Sequence, residues 1–199
     1  KQEIDKLQAE IDAIKAVEKA EQTLNEDDYN KAKDKVNNLH DGDVKNNLND
    51  KLEDVKNKIV KNNINKDTDK VKEAIKSGNT DEAQKELDKA KEKLKDMTDS
   101  KEKEALKQEI DKLQAEIDAI KAVEKAEETL NEDDYNKAKD KVNNLHDGDA
   151  KDNSNDRLEV VKDKIKQKEF EKLIKGSENE KDTKELEKEI EDTIADEDI

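Results

Sequence analysis

The chain of 199 residues contains no cysteine, no proline and no tryptophan, and only four glycines, two tyrosines, one phenylalanine and one methionine. Without cysteine there is neither a disulfide framework nor a thiolate metal site, and the redox compartment stays open. Without proline the strongest helix breaker is missing, and tracts of Val, Thr and aromatics that would build strands are missing too. No apolar run approaches the roughly 18 to 20 residues that cross a bilayer, and no signal peptide opens the sequence.

Apolar side chains are also scarce: Leu, Ile, Val and Phe number 39, against 49% charged residues and a net charge of -16. That composition lies at the edge of the disordered class and can bury only thin cores. Periodicity argues for order. Ile4, Leu7, Ile11, Ile14, Val17, Ala20 and Leu24 form a one-sided helical stripe, and the polar positions carry helix formers with opposite charges at helical spacing, as in Asp81/Lys85 and Glu86/Lys89. The expected fold class is all-α.

The most informative feature is a repeat. Residues Lys1 to Asp43 return as Lys107 to Asp149 with one change, Gln22 to Glu128, at a period of 106. Such self-similarity signals stacked supersecondary units that bury their apolar faces partly against neighbours. A weaker repeat lies inside it, because Leu106, Ile110, Leu113 and Ile117 reproduce the 4, 3, 4 spacing of Leu48, Leu52, Val55 and Ile59. The unit is then about half of 106. Short helices open at Asn25 and Asn131, good N-caps followed by acidic first turns, and carry Tyr29, Ala32, Val36 and Leu39 or their copies. Asp41-Gly42-Asp43 should end the first of them, with Gly42 left-handed and Asp43 capping the next helix. A further short helix with Ala83, Leu87, Ala90, Leu94 and Met97 should be entered through Ser77-Gly78-Asn79-Thr80.

Three antiparallel helices per unit are expected, at 14–24, 26–39 and 44–61, then 68–77, 80–97 and 100–117, then 118–130, 132–145 and 150–167. This gives an elongated tandem array of three-helix bundles joined by long shared helices. Its parts are 1–13, the third helix of a truncated preceding unit; 14–61, unit 1; 62–117, unit 2; 118–167, unit 3; and 168–199, a partial unit 4. From Ser100 to Leu130 there is no breaker, so one helix should serve two units. Near Asn65-Lys66-Asp67-Thr68 the equivalent junction is more polar, and a bend or break is expected. By this phase Ile4, Leu7 and Ile11 should be exposed or covered by another molecule, and Leu186, Ile190 and Ile194 should lack a third helix. Self-association through these ends is one expected consequence. At about 1.5 Å per helical residue each unit should advance a rod by roughly 25 Å, and the whole by about 100 Å.

Candidate chemistry is sparse. His40 and His146, the only histidines, occupy the same turn of two repeat copies and have no serine, cysteine or fixed carboxylate at catalytic spacing. They read as exposed turn residues, and Tyr29 and Tyr135 read as core or core-edge residues. Asp41-Gly42-Asp43 and Asp147-Gly148-Asp149 resemble fragments of a calcium loop but lack its other oxygen ligands and its final glutamate, so turn chemistry is favoured. The acidic runs Glu178 to Asp182 and Glu187 to Asp192 read as solvated helix faces. No catalytic residue, cofactor-binding residue, metal ligand or cofactor is assigned, and no enzyme is expected. Lysines interleaved with more numerous acids argue against nucleic acid and against a membrane surface. Trp is absent, and Phe and Arg occur once each, so interface anchors are few and any protein or cell-wall partner is weak or avidity-driven.

The units from Ala16-Val17 to Ile59 and from Ala122-Val123 to Ile165 share Ala-Val, Leu-Asn-Glu-Asp, Ala-x-x-x-Val-x-x-Leu, Asp-Gly-Asp and Leu-x-x-Val-x-x-x-Ile. This pattern resembles the short three-helix repeat modules found in tandem in surface and secreted proteins of Gram-positive bacteria, linked in spectrin-like fashion. Related modules include spacer rods, albumin-binding modules and the bundles of some S-layer proteins that bind cell-wall polymer. The resemblance implies an extracellular place at the cell surface or wall, and carries over no ligand residue. Near-identical repetition favours a structural role, a rod-like stalk or spacer such as an adhesin stalk whose partners are its neighbouring repeats. The alternative is a multivalent binding module for an albumin-like host protein or a cell-wall polymer.

Overall fold

The computed structural model describes residues 1–176. Among them the chain is all-α, with seven helices: α1 Gln2–Thr23, α2 Glu26–Asn37, α3 Asp43–Lys76, α4 Thr80–Lys95, α5 Lys101–Thr129, α6 Glu132–Asn143 and α7 Asp149–Gly176. Two compact units divide after Ile117.

Asparagine side chains cap three of the helix starts. Asn25 accepts from the Asp28 backbone N–H at 2.8 Å, Asn131 from that of Asp134 at 2.9 Å, and Asn79 from that of Glu82 at 3.1 Å. Each side chain thereby satisfies one of the backbone donors that a helix leaves unpaired at its first turn. Gly78, at φ 73, makes the left-handed step out of α3.

In the first unit the apolar stripes meet in two clusters. One joins Ala13, Val17 and Ala20 of α1, Ala32 and Val36 of α2, Leu39, and Leu48, Leu52, Val55 and Ile59 of α3. The other joins Ile64, Val71 and Ala74 of α3, Ala83, Leu87 and Ala90 of α4, Met97, and Leu106, Ile110, Leu113 and Ile117 of α5. In the second unit a third cluster joins Ala119, Val123 and Ala126 of α5, Ala138 and Val142 of α6, Leu145, and Leu158, Val161 and Ile165 of α7. Each cluster draws on three helices, and α3 serves two clusters along its 34 residues.

Two expectations need correction. The separate helices at 44–61 and 68–77 are one, since α3 runs unbroken through Asn65-Lys66-Asp67-Thr68. The polar residues do not break it because they find partners: Lys93 of α4 reaches the buried Asp67 at 2.7 Å, and Thr68 Oγ1 donates to the Asn65 carbonyl at 3.0 Å. Gly42 is not left-handed; at φ 161 and ψ 179 it is extended and serves as the N-cap of α3. The left-handed residues at the ends of α1 and α5 are Leu24 and Leu130, both at φ 47, each with its N–H bonded four residues back, to Ala20 and Ala126. Both pack against their clusters, and that burial offsets the steric cost of a leucine there. α7 continues without a break past residue 167, the expected boundary between unit 3 and the partial unit 4, to Gly176. Leu186, Ile190 and Ile194, both acidic runs and most of the expected 168–199 segment lie outside the described residues.

Candidate functional site

His40 and His146 stand exposed in the α2–α3 and α6–α7 turns, as turn residues would. The aspartates beside them are engaged internally. Lys45 Nζ donates to Asp41 Oδ1 and to the Leu39 carbonyl, both at 3.0 Å; Lys151 does the same to Asp147 at 3.0 Å and Leu145 at 3.1 Å. A third instance closes the α4–α5 turn, where Lys103 reaches Asp99 at 3.1 Å and the Met97 carbonyl at 2.7 Å. One ammonium thus ties the buried residue two positions past the end of one helix to the first turn of the next. Lys151 also holds the Asp147 carboxyl below its usual range. This lysine clamp escaped the sequence reading. Its signal was the thrice-repeated Asp-x-x-x-Lys after a buried Leu or Met.

The buried carboxylates follow the same logic. Asp28, at the start of α2, accepts from Lys19 of α1 at 2.8 Å and from Asn25 at 3.0 Å. The Lys19 hydrogen bond is the main reason its pKa falls to about 2. Asp134 repeats this with Lys125 at 2.9 Å and Asn131, and also falls to about 2. Glu86 of α4 is bonded to Lys89, with Lys70 of α3 at 3.6 Å, and its pKa is lowered chiefly by Lys89. A carboxylate held ionised in this way is a poor general acid or base near neutral pH. These pairs knit helix to helix. Tyr29 and Tyr135 are half-buried against their clusters, and Lys139 Nζ lies 6.0 Å from the Tyr135 ring centre.

A shallow groove of about 220 Å³ in the first unit is lined by Tyr29 and Lys33 of α2, Asn49 and Lys56 of α3, and Asp96 and Thr98 of the α4–α5 turn. Asn57 on its wall is bonded to the Thr98 side chain at 2.5 Å. The lining combines amides, a phenol, a threonine hydroxyl and charges of both signs, with no histidine or cysteine among them. Among the described residues no group of three or more His, Asp or Glu is placed to hold a metal ion, and no helix is long and apolar enough to cross a membrane.

No family model, curated protein or solved structure matches the chain. The contrast that bears on function is internal. The same fourteen residues, KQEIDKLQAEIDAI, occur at 1–14 in α1 and at 107–120 in α5. In α5 the stripe Ile110, Leu113 and Ile117 is buried against α3 and α4; in α1 its copy Ile4, Leu7 and Ile11 is the largest run of exposed apolar side chains in the described residues.

Proposed function

We propose that the chain is a non-enzymatic structural segment, a rod-like stalk or spacer built as a tandem array of three-helix bundles joined by shared helices. It would hold a functional domain away from a bacterial cell surface or wall. The observation that carries this reading is the use of one helix for two cores: α3 supplies Leu48 to Ile59 to one cluster and Ile64 to Ala74 to the next, and α5 supplies Leu106 to Ile117 and then Ala119 to Ala126. A helix shared in this way transmits order from core to core without needing any site. The near-identity of the 43-residue copies also supports it, because an array of equivalent units can change length without disturbing function.

Small-angle scattering on the intact chain tests the proposal. A globule of this length has a radius of gyration near 16 Å by the size law for compact domains. A rod of about 100 Å, from 1.5 Å per helical residue, has one near 30 Å. The smaller value would refute the stalk.

A further inference from the structure

We propose that the exposed stripe Ile4, Leu7 and Ile11 of α1 is a docking face for a two-helix hairpin of the kind that α3 and α4 form over residues 60–97, one whose third-helix position is open. The argument is internal to the molecule and does not depend on the stalk reading. Identical residues have two surroundings. Ile110, Leu113 and Ile117 are 1%, 3% and 0% exposed, whereas Ile4, Leu7 and Ile11 are 70%, 52% and 45% exposed. The buried copy shows what fits this surface: Ile64, Val71 and Ala74 from α3, and Ala83, Leu87 and Ala90 from α4.

Polar neighbours add register to the apolar match. Beside the buried stripe, Lys72 reaches Glu109 at 2.6 Å, Lys91 reaches Gln114 at 2.5 Å, and Gln84 exchanges amide hydrogen bonds with Gln114 at 3.0 and 2.9 Å. The copies of Glu109 and Gln114 are Glu3 and Gln8. In α1 Gln8 bonds Asp12 of its own helix, at 3.0 Å on the exposed surface. A hairpin docking on α1 would therefore find both its apolar and its polar counterparts in place.

A second copy of the chain is the less suitable occupant. Its 60–97 hairpin is already covered by its own α5, held at high effective concentration by a turn of five residues between α4 and α5. The occupant is an α3–α4-type hairpin free of a third helix.

The test mixes the full chain with a synthetic peptide of residues 60–97 and follows it by calorimetry, by circular dichroism and by amide shifts. The expected result is saturable one-to-one binding with a gain of helix, and shifts concentrated in residues 1–16. Leu7→Asp and Ile11→Asp should each weaken it by about tenfold or more, since an unpaired carboxylate would be buried at the contact. Both side chains are exposed in the free chain, so these variants keep the native fold, which the dichroism spectrum checks. Glu3→Lys should weaken binding and a Lys72→Glu peptide should restore it, which fixes the register. Absence of binding, or binding indifferent to Leu7→Asp because the peptide displaces α5, would overturn the proposal. So would a chain dimer that Leu7→Asp dissociates and the peptide does not disturb.

Discussion

Replacing Ser154 by leucine should stabilise the second unit. Shifted by 106, the cluster at Ala13 to Ile59 maps residue for residue onto the cluster at Ala119 to Ile165, with one member lacking: Leu48 has become Ser154. Ser154 is 1% exposed, Leu48 is 4% exposed, and the Ser154 hydroxyl has no hydrogen-bond partner. Full burial of a leucine side chain is worth about 1.5 to 3 kcal/mol. Removal of an unsatisfied buried hydroxyl adds about 1 to 3 kcal/mol. Repacking around the larger side chain takes back about 1 to 3 kcal/mol, which leaves a net gain of about 2 kcal/mol. Ser154→Ala separates the contributions, since it removes the hydroxyl without adding volume and should gain about 1 kcal/mol. The reverse change Leu48→Ser should cost about 4 kcal/mol, the loss of a core leucine plus a stranded hydroxyl. Urea denaturation of the intact chain, with hydrogen exchange read on the α6 amides, measures all three. A Ser154→Leu chain less stable than the parent would show that the core has closed over the smaller residue, and would refute the idea of a vacant leucine place.

Acid should weaken the helix pairs at Asp28 and Asp134. Both carboxyls fall from 3.8 to about 2 on folding, so their stabilisation is complete above about pH 4 and is lost as the pH drops through 2; melting temperatures from pH 5 to 1.5 should show this, and Asp28→Asn with Asp134→Asn should flatten that part of the curve. Replacing Lys45, Lys103 and Lys151 together by methionine should open the three turn clamps and lower stability by about 1 to 2 kcal/mol, at under about 1 kcal/mol each for partly exposed pairs; an unchanged melting temperature would deny the clamps any role. Leu113→Ala should cost about 2 to 4 kcal/mol. Because α5 supplies both its own cluster and that of α6 and α7, exchange protection should fall in α6 as well as in α4, and a loss confined to α4 would refute the shared helix.

The parts of the fold written in local chemistry were legible in the sequence. Asn25, Asn79 and Asn131 cap their helices through contacts three residues away, and the stripes repeat within a turn or two. The continuity of α3 was not legible. Asp67 and Thr68 interrupt the apolar pattern, and what makes the burial of Asp67 possible is Lys93, 26 residues further on, a partner that spacing along one helix does not reveal. The same holds for the left-handed leucines: Leu24 belongs to the stripe by spacing, and only its packing against the first cluster and the following cap at Asn25 explain why the helix stops there rather than at a glycine. The turn clamps sit between these cases, since Asp and Lys four residues apart are visible, while the carbonyl each lysine also binds is not.

The repeat itself shows how far identical sequence decides structure. Residues 2–23 and 108–129 form helix in both places, because propensity and charge spacing are internal to the segment. Which face is buried is not internal. The half that carries Ala13, Val17 and Ala20 finds the same kind of partners as Ala119, Val123 and Ala126, and is buried in both copies. The half that carries Ile4, Leu7 and Ile11 is exposed, whereas its copy Ile110, Leu113 and Ile117 packs against α3 and α4 and is buried. A helix of this design is therefore two adhesive surfaces placed end to end, each specifying its neighbour separately, and this is the property a chain needs if cores are to be added in series along it.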